Sequence, residues 1–257
     1  MGLFLKLLLK AAPLPDYRKF KRVLFIGPHP DDIEIGAGGT ARKLALRGAE
    51  VYFLIATDGG AGSLDPEMTS EKLAIIRKAE AEKAGTFLGA KEVEVLSFPD
   101  GGDYSVEELT TEIVRRIVKI KPDAVFCPDP LLPTETHPDH LKTGEAARRA
   151  IPISQFPLAV KRRGIELPDD CELPQGIHLL YYYTARPNIY VPLGKAEQQA
   201  KIEAIRLHQS QVDAGFEGVF RYLDFKAKRF GFKAKAKYGE AFYGLGPLHQ
   251  HCFPEKI

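Results

Sequence analysis

Apolar and polar positions along this chain fall into blocks that switch between strand and helix periods. The run Arg22-Val23-Leu24-Phe25-Ile26-Gly27 is short, apolar and closed by glycine; a glycine-rich turn and a helical stretch over 40–47 follow it. The succession then recurs, with strands read at 51–57, 93–98 and 123–127 and helices at 70–88 and 106–120. Such alternation predicts an α/β fold, a Rossmann-like, mostly parallel sheet with helices on both faces.

The second half is less regular. A helix is expected over 138–150, then an irregular surface segment over 151–176, rich in proline and charge and without a clear period. A further strand is read at 177–184, a long helix at 194–211 whose apolar positions fit one face only partly, and a last helix at 219–230. No repeat, low-complexity tract or linker marks a second domain, so residues 1–257 are read as one domain with an N-terminal extension over 1–20. In that extension Leu3-Phe4-Leu5-Lys6-Leu7-Leu8-Leu9-Lys10 is too short and too interrupted by lysine to span a bilayer. It reads as an amphipathic helix that packs on protein, with no stable membrane insertion.

Composition narrows the classes of partner. The 36 Lys and Arg against 34 Asp and Glu leave a net charge of +2, so nothing demands nucleic acid. The basic residues between Lys226 and Lys237 are interleaved with Phe, Ala and Gly and read as a solvated helix face. Cys127, Cys171 and Cys252 are odd in number, widely spaced and outside any CxxC pair. That argues against a disulfide framework or a cysteine zinc site and fits a reducing, cytoplasmic setting.

The polar chemistry concentrates where strands end, which is where doubly wound sheets bind ligands. Directly after the first strand stands Gly27-Pro28-His29-Pro30-Asp31-Asp32, and after the strand ending at Cys127 comes a loop and then His137-Pro138-Asp139-His140. Each cluster alone has a structural explanation, a His-Pro turn or an Asp helix cap. Several charged groups in one crevice are expensive unless a cation compensates them, so together the clusters point to a divalent metal. His29, Asp32 and His140 supply two imidazoles and one carboxylate, a set that suits zinc or ferrous iron, and Asp31 is left free as a general base. His137, three residues before His140, can face the same site from a helical first turn. A dinucleotide cradle at Gly36-Ala37-Gly38-Gly39 is disfavoured, because its spacing departs from GxGxxG and two aspartates would face the pyrophosphate.

These residues resemble the LmbE-like, or PIG-L, zinc-dependent N-acetylglucosaminyl deacetylases. The likeness rests on His29 to Asp32 and His137 to His140, and continues through Gly36 to Thr40, Arg77 to Ala81, Leu88-Gly89 and Pro99 to Gly102. It resumes at Lys201 to Ala204, His208-Gln209-Ser210-Gln211 and Tyr238 to Phe242, and so spans about 21 to 243. The resemblance implies metal ligands at His29, Asp32 and His140, a base at Asp31 and a supporting imidazole at His137. It further implies substrate contacts at Arg77 and Asp100, a His208 near the oxyanion, and a trimeric or hexameric homo-oligomer. The branch it looks nearest to makes bacillithiol and deacetylates N-acetylglucosaminyl malate. A chitin disaccharide, a mycothiol-type or antibiotic precursor, or a metal- or sugar-binding module without turnover are the alternatives.

Overall fold

The computed structural model describes residues 10–212 and 217–251. Seven strands form one sheet in the order β3-β2-β1-β4-β5-β7-β6. They are β1 (Arg22–Gly27), β2 (Glu50–Thr57), β3 (Glu92–Phe98), β4 (Ala124–Pro128), β5 (His178–Tyr182), β6 (Ile189–Leu193) and β7 (Tyr238–Leu245). The first five pair in parallel, and β7 runs antiparallel to both β5 and β6. Helices α1 (Asp32–Leu46), α2 (Ser70–Leu88), α3 (Val106–Ile120) and α4 (Pro138–Ser154) connect the parallel strands. Beyond them lie α5 (Pro157–Lys161), α6 (Lys195–Arg206), α7 (Gln209–Val212) and α8 (Glu217–Lys233).

The central strands β1, β2 and β4 are buried almost throughout because both of their faces are covered. Leu24, Ile26, Leu54 and Val125 join one core with Ile113, Ile117 and Ala147 of α3 and α4. Their neighbours Val23, Phe25, Phe53 and Phe126 point the other way, onto Ala37, Ala41, Ala84 and Ala204 of α1, α2 and α6. Helix boundaries follow local chemistry: Thr69 caps α2 through Lys72 N–H, and Ser105 with Glu108 forms a reciprocal capping box on α3.

Four expectations change. Helix α1 begins at Asp32, inside the aspartate motif, and runs through the glycines. Glycine is required there by close packing, since a Cβ at Gly36 would lie 2.4 Å from the Tyr182 ring and one at Gly39 2.4 Å from Leu193. The segment 151–176 is partly helical and partly core: α4 continues through Pro152 to Ser154, α5 opens with Pro157, and Ile151, Val160 and Ile165 are buried. Proline at a helix start needs no N–H donor, so Pro157 starts a helix within the segment expected to be irregular. The long helix over 194–211 is two, because the chain turns at Leu207-His208 between α6 and α7. Strands β6 and β7, which extend the sheet beyond the parallel part, were not anticipated at all. Most of the expected N-terminal amphipathic helix, residues 3–9, lies outside the described residues, as does Cys252. Among the described residues no helix is long and apolar enough to cross a membrane.

Candidate metal centre

Strand order reverses between β1 and β4, and the crevice beyond their carboxyl ends is where a sheet of this kind opens to a ligand. The turn after β1 delivers His29, Asp31 and Asp32; the loop after β4 and the first turn of α4 deliver Glu135, His137, Asp139 and His140. Asp100 and Gly101 enter from the end of β3, and Tyr183 from the end of β5.

The two sequence-distant clusters meet. Asp32 Oδ2 lies 3.0 Å from His29 Nδ1 and 3.3 Å from His140 Nε2, and it also accepts the His29 backbone N–H at 3.1 Å. The other Asp32 oxygen accepts from the Tyr183 hydroxyl at 3.1 Å, and the Tyr183 ring stacks on His140 at a tilt of 9°. The outer nitrogen of each imidazole also faces carboxylate. His29 Nε2 is 3.2 Å from both Asp100 Oδ1 and Asp139 Oδ2, and His140 Nδ1 is 2.9 Å from Glu135 Oε2. Asp139 is fully buried and fixed by Gly101 N–H and the Tyr104 hydroxyl, both at 2.8 Å.

This arrangement passes a physical test for a cation. A neutral imidazole carries one proton, and a carboxylate on its outer nitrogen keeps the proton there. His29 Nδ1 and His140 Nε2 then present lone pairs to a carboxylate oxygen, which is repulsive unless positive charge sits among them. One source is protonation: burial disfavours the His29 imidazolium, yet Asp100, Asp139 and Asp32 outweigh it and push its pKa up to about 12. Burial likewise opposes charge on His140, and Asp32 and Glu135 raise it. The other source is a divalent ion, for which two imidazoles and a carboxylate within 4.8 Å of one another are a fitting donor set. A second group, His29 with Asp100, His137 and Asp139, shares the His29 ring through its other nitrogen. It fits less well, because Asp139 already accepts two donors and His137 Nδ1 accepts the Asp139 backbone N–H.

Asp31 sits beside this cluster in a backbone conformation rare for L-residues, φ 142° and ψ −24°, at the N-cap of α1 without a side-chain capping bond. Strain of this kind costs roughly 1–3 kcal/mol and concentrates at functional sites. Arg77, buried in α2, reaches across to it, donating to Asp31 Oδ2 at 3.3 Å, Pro30 O at 2.8 Å and Gly59 O at 3.1 Å. Burial and the Asp32 charge raise the Asp31 carboxyl to about 7, and Arg77 opposes that rise. His137 is partly exposed at the cleft; burial and the cationic His29 and His140 lower its pKa.

Comparison with known proteins follows the same chemistry. The family profile described as GlcNAc-PI de-N-acetylase, PIG-L, matches residues 24–151. The diacetylchitobiose deacetylase of Thermococcus kodakarensis is 33% identical over 240 residues, 93% of this chain and 88% of that protein. The chain belongs to the PIG-L family of deacetylases. The solved N,N'-diacetylchitobiose deacetylase from Pyrococcus horikoshii, complexed with its inhibitor MPG, superposes with a TM-score of 0.88 at 35% identity, covering 98% of this chain and 94% of that one. A probable N-acetyl-alpha-D-glucosaminyl L-malate deacetylase 2 of Bacillus cereus is 30% identical over 138 residues, 51% of this chain and 61% of that protein.

Within this PIG-L deacetylase, the expected residues His29, Asp31, Asp32, His137 and His140 share one crevice. Three others stand differently from expectation. His208 is 1% exposed, with neither ring nitrogen hydrogen-bonded and Glu34 Oε1 3.5 Å away; the turn between α6 and α7 drops it into the interior. Arg77 is buried rather than an exposed ion pair: its two terminal nitrogens bond Gly59 O, Pro30 O and Asp31, while its Nε has no hydrogen-bond partner. Asp100 faces His29, and its second oxygen accepts Ala61 N–H at 3.2 Å. Sequence reasoning assigned no role to Asp139, Glu135 or Tyr183. The first two lie in or beside the second motif and were findable there, whereas Tyr183 ends the run Tyr181-Tyr182-Tyr183, where nothing separates it from core.

Proposed function

We propose that this deacetylase removes the acetyl group from an N-acetylglucosamine unit of a short chitin-type saccharide such as diacetylchitobiose, with zinc or ferrous iron held by His29, Asp32 and His140. The convergence of His29 Nδ1 and His140 Nε2 on Asp32 Oδ2 carries the metal-hydrolase reading. For the substrate, likeness to a diacetylchitobiose deacetylase over 93% of the chain outweighs likeness to a malate deacetylase over 51%. The chitin disaccharide therefore replaces N-acetylglucosaminyl malate as the favoured substrate.

When bound, the ion supplies Lewis acidity that lowers the pKa of water and polarises the amide carbonyl. Asp31 accepts the proton of the attacking water and returns it to the departing amine. Arg77 holds that carboxylate in place and, with Asp100, braces the turn, so both are positioning residues. His137, whose Nδ1 accepts from Asp139 N–H, is left with Nε2 as a donor toward the developing oxyanion. His208, sealed in the interior beside Glu34, acts on Asp31 through its charge, which opposes the rise of that carboxyl.

The test is acetate release from N,N'-diacetylchitobiose and from N-acetylglucosaminyl malate by metal-loaded protein. Faster kcat/KM on the disaccharide is expected, and release from neither after loading with zinc or ferrous iron would refute the reading.

A further inference from the structure

The crevice continues past His140 into a cavity of about 660 Å³ whose far wall is helix α8. Tyr222, Lys226 and Phe230 recur there every four residues and so share one helix face, with Tyr183 closing the gap toward the metal ligands. The Lys226 ammonium lies 5.5, 5.7 and 5.9 Å from the ring centres of Tyr183, Tyr222 and Phe230. Among the described residues no carboxylate comes within ion-pair reach of it. Glu240, which also lines the cavity, is taken by Lys201 at 2.5 Å and by the N–H groups of Gly39 and Thr40. Of the other described α8 cations Arg221, Lys228 and Lys233 are exposed, and Arg229 lines the same cavity from an exposed position, so Lys226 is the partly buried one. Burial, with Lys201 nearby, pulls its pKa down to about 8.

An amine enclosed by rings and lacking an acidic partner is costly until a ligand supplies acceptors. The ligand must also present apolar faces to Tyr222 and Phe230, and it must continue from an amide held at His140. A pyranose ring meets all three requirements, having C–H faces for the aromatic rings and hydroxyl oxygens for the amine. A carboxylate-bearing group would meet Lys226 but would also face the acid side chain of Glu135 across the same cavity.

We propose that Lys226, Tyr222 and Phe230 form the subsite for the uncharged sugar next to the N-acetylglucosamine being deacetylated, and that Lys226 determines preference for a disaccharide. This rests on the deacetylase reading above. Lys226→Met keeps the aliphatic stem and removes the amine. The ratio of kcat/KM for N,N'-diacetylchitobiose over that for N-acetylglucosamine is expected to fall about tenfold or more in Lys226→Met. In Lys228→Met, which alters an exposed lysine paired with Asp224, the ratio should hold. An unchanged ratio in Lys226→Met overturns the proposal, as does a selective loss of activity on N-acetylglucosaminyl malate, which would make the neighbouring group anionic. Calorimetric titration of the disaccharide separates the two levels of inference. Binding that weakens about tenfold in Lys226→Met without acetate release by the wild type would sink the deacetylase reading and leave the subsite standing; equal affinity in both proteins sinks the subsite.

Discussion

Glu135→Gln tests the idea that outer carboxylates set which imidazole nitrogen is free for the metal. In the native protein Glu135 Oε2 accepts from His140 Nδ1 at 2.9 Å, while Oε1 accepts the backbone N–H groups of Thr136 and His137 at 2.9 and 2.8 Å. Those two backbone donors will hold the amide oxygen of glutamine, leaving its NH₂ facing His140 Nδ1. Two donors cannot face each other, so the neutral ring must move its proton to Nε2, the atom directed at Asp32. The substitution thus blocks a ligand while changing almost no volume. Glu135 and His140 are 17% and 16% exposed, so solvent screens the effect only in part. Loss of such an outer partner costs about 10–100-fold in metal affinity, equivalent to about 1.4–2.8 kcal/mol. Competition against a chromophoric chelator measures it directly, and a Glu135→Asn comparison reports what shortening adds. Affinity within about twofold of wild type would refute the tautomer argument.

Three further outcomes follow from the same geometry. Asp31→Asn should keep its metal and lose about 10²–10⁴ in kcat; full turnover would remove Asp31 as the base. Arg77→Met strands Asp31 beside Asp32 and should lower stability by about 3–5 kcal/mol in urea unfolding; Arg77→Lys should recover little, because a shorter side chain with one nitrogen lacks the planar fork from which Arg77 reaches Gly59 O through one nitrogen and Pro30 O and Asp31 through the other. The metal-free protein should lose stability as pH rises from about 6.5 to about 8. His29, raised to about 12, binds its proton more tightly folded than unfolded, and Asp31, raised to about 7, acts in the same direction; above about 8 the lowered Lys226 opposes them. Unfolding midpoints with chelator at the two ends of that window check the sign, and a higher midpoint at the upper end would contradict it.

Much of the parallel half of the fold was legible because its signals are local. An apolar run ending in glycine gave β1, short apolar runs gave its neighbours β2, β3 and β4, and α2 and α3 matched their expected spans. β6 and β7 were not legible, because Tyr238 to Leu245 reads as a strand only against the partners that it finds in β5 and β6.

The residues themselves determined the α/β class, the two motifs at the ends of β1 and β4, and a donor set of metal-binding type. Each depends on residue identity and short-range spacing, which a linear chain carries in full. Tertiary structure alone decided which way each side chain points. It turned Arg77 onto Asp31, dropped His208 beside Glu34, set Asp139, Asp100 and Glu135 behind the imidazoles, and aimed Lys226 into the cavity. Those directions are fixed by loops and helix turns whose course depends on what packs against them from distant parts of the chain, and no local spacing encodes that.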